Sequence, residues 1–378
     1  MRLRDLGLPL VLFGPLSPGP LNAITDVPGV RVGHTTLIEG EGPLEVGRGP
    51  VCTGVTVVQP RPGLTRDQPC FAGVVRFNGN GDLSGAEWLR ENGTLTTPVA
   101  LTNTHALGTV RDAMITWEGR RRADTGLYWC MPVVGETFDG TLNDIWGAHV
   151  RAEHVWAALD GAVGGPVPEG NVGGGTGMIC HGFKGGTGTS SRAVSVGGET
   201  YTVGALVQAN QGRRPELRVL GLPVGRVLTE DRVPTPWSAP TPGSGSIVVV
   251  LATDAPLLPG QCERLARRAG IGLARTGGGC DDSSGDFFVC FATGNAGLPV
   301  ADYARGHHGR QEVRMVSNDT LSLLFHAAAE ATEEAILNAL LEARTLSGVN
   351  GRTAHALTPD LLRWALRELA LGGAHSGA

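Results

Sequence analysis

Two runs in this chain leave no face for solvent. Ser246–Asp254 (SIVVVLATD) and Asp286–Thr293 (DFFVCFAT) are β-branched or aromatic and apolar at successive rather than alternate positions. Neighbouring side chains on a strand point to opposite faces, so such strands must be covered from both sides. Around them, strand-like and helix-like segments interleave without the steady β-α-β-α cadence of a doubly wound fold. A four-layer α-β-β-α sandwich, two sheets stacked between outer helices, meets both conditions. It is the expected fold, as a single domain over 1–378.

Further strands are expected at Val51–Val58, Phe71–Phe77, Pro98–Thr102, Ser191–Val196 and Tyr201–Ala209, from their β-branched content. Helices are expected at Ser84–Asn92 with Ser84 as N-cap, Thr104–Glu118, Asn143–Ala162, Leu258–Ala269 and Asp319–Arg344 with Ser317/Asn318 as capping residues, from apolar spacing and caps. The 58 glycines are about twice the usual share and call for tight turns and close backbone approaches. They are densest in Asn171–Ser191 (NVGGGTGMICHGFKGGTGTSS). Its GGGTG at 173–177 lacks the Lys-Ser/Thr ending of a phosphate loop and a βαβ setting, and reads instead as a backbone wall of the site.

Net charge −5 gives no footprint for nucleic acid or acidic membranes, and no run approaches the roughly 18 apolar residues of a membrane span. Seven cysteines without a CxxC pair read as free thiols in a reducing cytoplasm. The opening MRLRDLGLPLVLFGPLSPGP imitates a signal peptide, but prolines interrupt it and no A-x-A site follows, so a soluble, cytoplasmic protein is expected. His105, His149 and His154 fall on expected helices, and His307 and His308 are adjacent in a polar loop. None of them offers a metal-ligand set.

The organisation changes at 226–245 (RVLTEDRVPTPWSAPTPGSG), where four prolines build neither strand nor helix and read as an exposed, flexible linker. It ends at Gly245-Ser246, and Ser246 opens the most strand-like run of the chain. Cutting the bond before Ser246 would leave an α-amine, of unperturbed pKa about 7.7–8.0, able to take the proton of its own hydroxyl. Base and nucleophile then reside in one residue. Gly245, without a Cβ, leaves the preceding carbonyl open to attack. Ser244 is the local alternative, though it precedes another glycine and not the strand. An ordinary loop entering an ordinary strand is the competing reading.

The motifs NAITDVPGVRVGHTT, VVGETFDGTLND, GNVGGGTGMICHGFKGGTGTSSR, VGALVQANQGRR, GSIVVVLATDAPLLPGQ and SSGDFF occur in this order, with AAAEATEEAILNALL and GRTAHALTPD later. Together they resemble, nearly end to end, the family of L-aminopeptidase D-amidase/D-esterase (DmpA-type) and β-aminopeptidases. The resemblance implies the α-β-β-α fold shared with ornithine acetyltransferases and self-cleavage into an α chain (1–245) and a β chain (246–378). It implies no metal or organic cofactor and a homotetramer of αβ units. The implied activity releases N-terminal residues, L-, D- or β-, from small peptides, amides or esters through an acyl-enzyme.

By the same resemblance Ser246 is the nucleophile and Asn210, in VQANQG, the oxyanion-stabilising amide. Ser284 and Asp286, in SSGDFF, match a Ser-Gly-acid motif that some members carry with glutamate. Lying two apart, their side chains share one face. From the residues alone, Asn210 could equally end a strand in a turn with Gly212. Glu136, in VVGETFDG, needs a partner if buried, either the substrate's ammonium or an arginine. The chain departs from the family at Phe138 and Thr141, where a tyrosine is usual and the nearest here is Tyr128. Asn210 is then left to act with backbone amides, and Phe138 joins the substrate-binding residues. Two other readings compete: an acyltransferase of the ornithine acetyltransferase type, which Ser246 in place of threonine disfavours, and a non-enzymatic glycine-rich nucleotide-binding protein.

Overall fold

A computed structural model describes residues 1–9, 14–122, 129–237, 245–299 and 309–375. The strands are β1 (Arg31–Glu39), β2 (Val51–Gln59), β3 (Cys70–Gly79), β4 (Leu83–Ser84), β5 (Thr94–Leu95), β6 (Val99–Asn103), β7 (Val133–Thr137), β8 (Ile179–Cys180), β9 (Phe183–Lys184), β10 (Gly186–Val196), β11 (Glu199–Ala209), β12 (Ile247–Thr253), β13 (Gly285–Ala292), β14 (Leu346–Ser347) and β15 (Thr353–Ala354). The helices are α1 (Ala86–Asn92), α2 (Leu107–Arg121), α3 (Ala152–Asp160), α4 (Pro259–Ala266), α5 (Ala269–Thr276), α6 (Leu321–Glu342) and α7 (Pro359–His375). One sheet has the order β1-β2-β6-β7-β4 and the other β10-β11-β12-β13-β3-β5.

The two faces of β12 explain the layering. Val248 and Val250 pack between the sheets with Val99, Leu101 and Val133, while Val249 and Leu251 turn outward to Leu265, Leu273 and Leu340 of α4, α5 and α6. On the opposite outside, Val55 and Val57 of β2 meet Val110 and Met114 of α2 and Leu159 of α3. The α-β-β-α order is thus the one the doubly apolar strands require. Helix α6 lies so close to β10 that a Cβ on Gly188 would stand 2.0 Å from the carbonyl oxygen of Ala335. Arg192 of β10, fully buried, crosses the same interface to Glu330 at 3.1 Å and Glu334 at 2.7 Å.

Several local expectations change. Ser84 belongs to β4 and gives its hydroxyl to the Pro132 carbonyl, so it caps nothing; Gly85, at φ 73°, turns the chain into α1. The helix expected over Asn143–Ala162 shrinks to α3. Residues before it are held in turns by Asn143 on Asp139 and His149 on Asp144, and Ala148 sits at φ 51°. His149 is therefore a loop residue. The Leu258–Ala269 helix is two, α4 and α5. Asn318 does not cap α6, because its side-chain oxygen accepts from Gln261 and Arg264. In the proline-rich segment Leu228 and Val233 are buried, and Arg214 donates to both of their carbonyls. Its first part is thus anchored, not free; 238–244, including Ser244, lie outside the described residues, as do Tyr128, His307 and His308.

Gly188→Ala forces the α6–β10 interface apart. In a Ser246→Ala background, expected to stay one chain, it should lower unfolding free energy by about 1–3 kcal/mol in urea titration, and an unchanged midpoint would show that α6 can shift without loss.

Candidate active site

The site forms where strand ends from both sheets meet. Strand β12 pairs antiparallel with β11, Ala209 opposite Ile247, and parallel with β13, Ile247 opposite Asp286. One step beyond these pairs lie Asn210 and Ser246, which exchange backbone hydrogen bonds at 3.1 and 3.3 Å. On the other side the Gly285 N–H donates to the Ser246 hydroxyl oxygen at 3.1 Å. Register alone therefore brings Asn210, Ser246 and the Ser284–Asp286 segment together. A Cβ on Gly245 would stand 2.3 Å from the Asn210 carbonyl oxygen, which explains glycine before the serine more directly than access for attack does.

Asn210 is oriented at both ends of its amide. Its Oδ1 accepts from the Ile179 N–H at 2.7 Å, and its Nδ2 donates to the Phe138 carbonyl at 3.1 Å. One Nδ2 hydrogen remains for a ligand. Ser284 donates its hydroxyl to Asp286 Oδ1 at 2.7 Å, the same oxygen accepting from the Ile247 N–H at 3.3 Å. The shared face expected of this pair is present. Asp286 Oδ2 is buried without a hydrogen-bond partner, and burial, opposed by those two bonds, raises the carboxyl to about 6.

Glu136 is the penultimate residue of β7 in the facing sheet and is 4% exposed. It accepts from the Asp82 N–H at 2.9 Å and from the Thr104 hydroxyl. Among the described residues no cation forms an ion pair with it, so the arginine partner is not found there. Burial raises its pKa, with the Thr104 and Asp82 hydrogen bonds opposing. Ser246, Asn210 and Glu136 line a cavity of about 370 Å³ together with Phe138, itself half exposed, whereas Ser284 and Asp286 lie behind Ser246 and do not line it.

Sequence reasoning missed Asn80, Gly81, Thr104, Ile179 and Trp237, which also line the cavity. The polar, glycine-rich run NGNGD at 78–82 was a signal for the first two. Trp237 carried none, being embedded in a segment that reads as linker. Conversely, the GGGTG at 173–177 is not a wall of this cavity. Its backbone is packed between strands, and a Cβ on Gly174 would meet the Gln208 side chain at 2.0 Å and the Leu101 carbonyl at 2.7 Å.

The model of peptidase family S58 matches residues 22–354. The chain is 49% identical over 376 residues to the β-peptidyl aminopeptidase BapA of Sphingosinicella microcystinivorans, covering 97% of this chain and 92% of that protein. Among solved structures, a β-aminopeptidase of Burkholderia sp. aligns with TM-score 0.90 and 57% identity over 98% of this chain and 99% of that one. The L-aminopeptidase D-Ala-esterase/amidase of Ochrobactrum anthropi, described as a variant of the Ntn hydrolase fold, aligns at 0.89 and 44% identity over 98% and 99%. Matched along nearly its whole length in sequence and in fold, the chain belongs to peptidase family S58 and is an aminopeptidase/amidase of that family.

Proposed function

We propose that the chain cuts itself between Gly245 and Ser246, giving chains 1–245 and 246–378, and that Ser246 then releases N-terminal residues, β-amino acids among them, from small peptides, amides and esters. One observation carries this reading: a serine at the mouth of a buried strand shares a cavity with an oriented amide and with a carboxyl that pairs with no cation among the described residues. The names of two relatives, which refer to β-aminoacyl cleavage, support the substrate class. Cysteines that form no disulfide suit a reducing cytoplasm, where the cut units would assemble as homotetramers.

In the uncut chain the Ser246 hydroxyl attacks the Gly245 carbonyl, the peptide nitrogen leaves as an amine, and water hydrolyses the resulting ester. In turnover that amine takes the hydroxyl proton as the oxygen attacks the substrate carbonyl, and returns it to the leaving group. Water then releases the acyl group from Ser246. Asn210 Nδ2 donates to the developing oxyanion, where a preoriented dipole gives its largest effect. Asp286, with its open oxygen and Ser284 beside it, balances the new terminus and is ionised above about pH 6. Phe138 forms an apolar wall for the acyl side chain. Glu136 takes the substrate's ammonium, the cation its pocket lacks.

Mass spectrometry of purified protein should find a fragment beginning at Ser246. Ser246→Ala should remain one inactive chain, and an intact yet fully active wild type would sink self-processing. Asn210→Ala should lower kcat by about 10²–10³ with far less effect on KM; near-normal kcat would remove Asn210 from the site. Losing one partner of a buried charge pair costs roughly 2–5 kcal/mol, so an N-acetylated amide should be disfavoured at least about thirtyfold in kcat/KM. Glu136→Gln should self-cleave and lose most of that discrimination. A mutant that keeps the full preference for the free amine would place the ammonium elsewhere.

A further inference from the structure

Lys184 is fully buried, and the reaction above leaves it unused. It ends the hairpin of β8 and β9, whose two turn residues, His181 and Gly182, stand at φ 51° and 69°, the left-handed pair that a two-residue hairpin favours. That turn pairs Lys184 with Ile179 and folds the lysine back over the glycine-rich backbone. Its Nζ donates to the carbonyls of Met178 at 2.8 Å, Gly185 at 2.9 Å and Gly175 at 3.3 Å. Three acceptors match the three N–H groups of an ammonium. The Met178 carbonyl belongs to the same peptide as the Ile179 N–H, which donates to Asn210 Oδ1 at 2.7 Å.

We propose that Lys184 is a positioning residue for the oxyanion: its ammonium polarises the Met178–Ile179 peptide, which fixes and polarises the Asn210 amide facing the cavity. The inference rests on the oxyanion role proposed for Asn210. Electron density drawn toward the Met178 oxygen makes the Ile179 N–H a stronger donor, and that bond in turn strengthens the Asn210 Nδ2 donor. Hydrogen bonds in series reinforce one another in a low dielectric, and a charged donor heading the series is stronger than a neutral one. The ionisable groups around Lys184 are Cys52, Cys180 and Asp139. Burial raises the two thiols to about 11 and about 12 and Asp139 to about 7, so the thiols are neutral at working pH and none of the three is hydrogen-bonded to the lysine. Burial also draws Lys184 down to about 7, with the neighbouring Cys52, Cys180 and Asp139 opposing that fall.

Lys184→Met keeps the volume of the side chain and removes its donors. Measured on fully cut enzyme with a small amide, it should lower kcat at least about tenfold with KM within about twofold. Added to Asn210→Ala, it should cause no further loss, because the two act through one group. Full kcat in Lys184→Met, or the same loss in both backgrounds, overturns the inference while leaving the role of Asn210 standing. A wild-type kcat for Asn210→Ala removes that role and this inference with it. Where Lys184→Met does not fold, the wild-type enzyme decides: nitrogen-15 spectra of lysine-labelled protein at pH 8, where kcat is measured, should show a buried, slowly exchanging ammonium, and a neutral amine there overturns the proposal.

Discussion

Strand β12 is hydrogen-bonded on both sides along its length, to β11 in one direction and to β13 in the other, and both of its faces are buried. A slip of one residue against either neighbour would exchange its two apolar faces and carry Ser246 away from Asn210 or Gly285. The packing of Val248 and Val250 inside, against Val249 and Leu251 outside, resists such a slip. Core and site are therefore one constraint. The apolar side chains that hold the strand in place also set the distances at its open end, so the precision of the site comes from the rigid layers and not from the loops around it.

Backbone groups do most of the orienting. The Ile179 N–H and the Phe138 carbonyl hold Asn210, the Asp82 N–H holds Glu136, the Ile247 N–H reaches Asp286, and three carbonyls receive Lys184. Main-chain dipoles fixed by folding need no reorganisation when charge develops, which is where electrostatic preorganisation has its effect. The arrangement also accounts for the raised carboxyls. Glu136 and Asp286 are deep enough that burial outweighs the few hydrogen bonds that favour their charged forms. A cation entering the cavity would be met by a carboxyl that has given up water and received little in return.

The layers were legible in the sequence because β12 and β13 carry apolar side chains at successive positions, Ile247–Ala252 and Phe287–Ala292, a pattern that calls for cover on both faces. The junction at Gly245-Ser246 was legible because strand and linker differ so sharply in composition. Ser284 and Asp286 could be placed on one face from their spacing alone. What escaped was decided by contacts between distant segments. The 143–151 stretch has helical spacing, yet the side chains of Asn143 and Asp144 tie it into turns. The GGGTG run reads as a ligand-facing wall, but its glycines instead let the chain pass between strands. The anchored half of the proline-rich segment was hidden because the arginine that holds it, Arg214, lies on a different element, and Trp237 because it packs against the distant Cys52, Leu142, Ile179 and Ala354.

The six-stranded sheet also interleaves the two sides of the proposed cut. β12 and β13, which follow Gly245, stand between β11 and β3, which precede it. Breaking one peptide bond at the mouth of β12 would remove no ladder hydrogen bond within the sheet, so the halves would stay interlocked. Neither half alone completes the six-stranded sheet, although the five-stranded sheet lies wholly before the proposed cut. The intact chain finds its pairing as a unimolecular process, whereas the cut pair, once unfolded, must meet again by diffusion. Unfolding of the mature molecule would then depend on concentration and be hard to reverse, so its durability would be set by how slowly the sheet opens. A chain cut in this way would be assembled once, as a precursor, and not readily renewed from its parts.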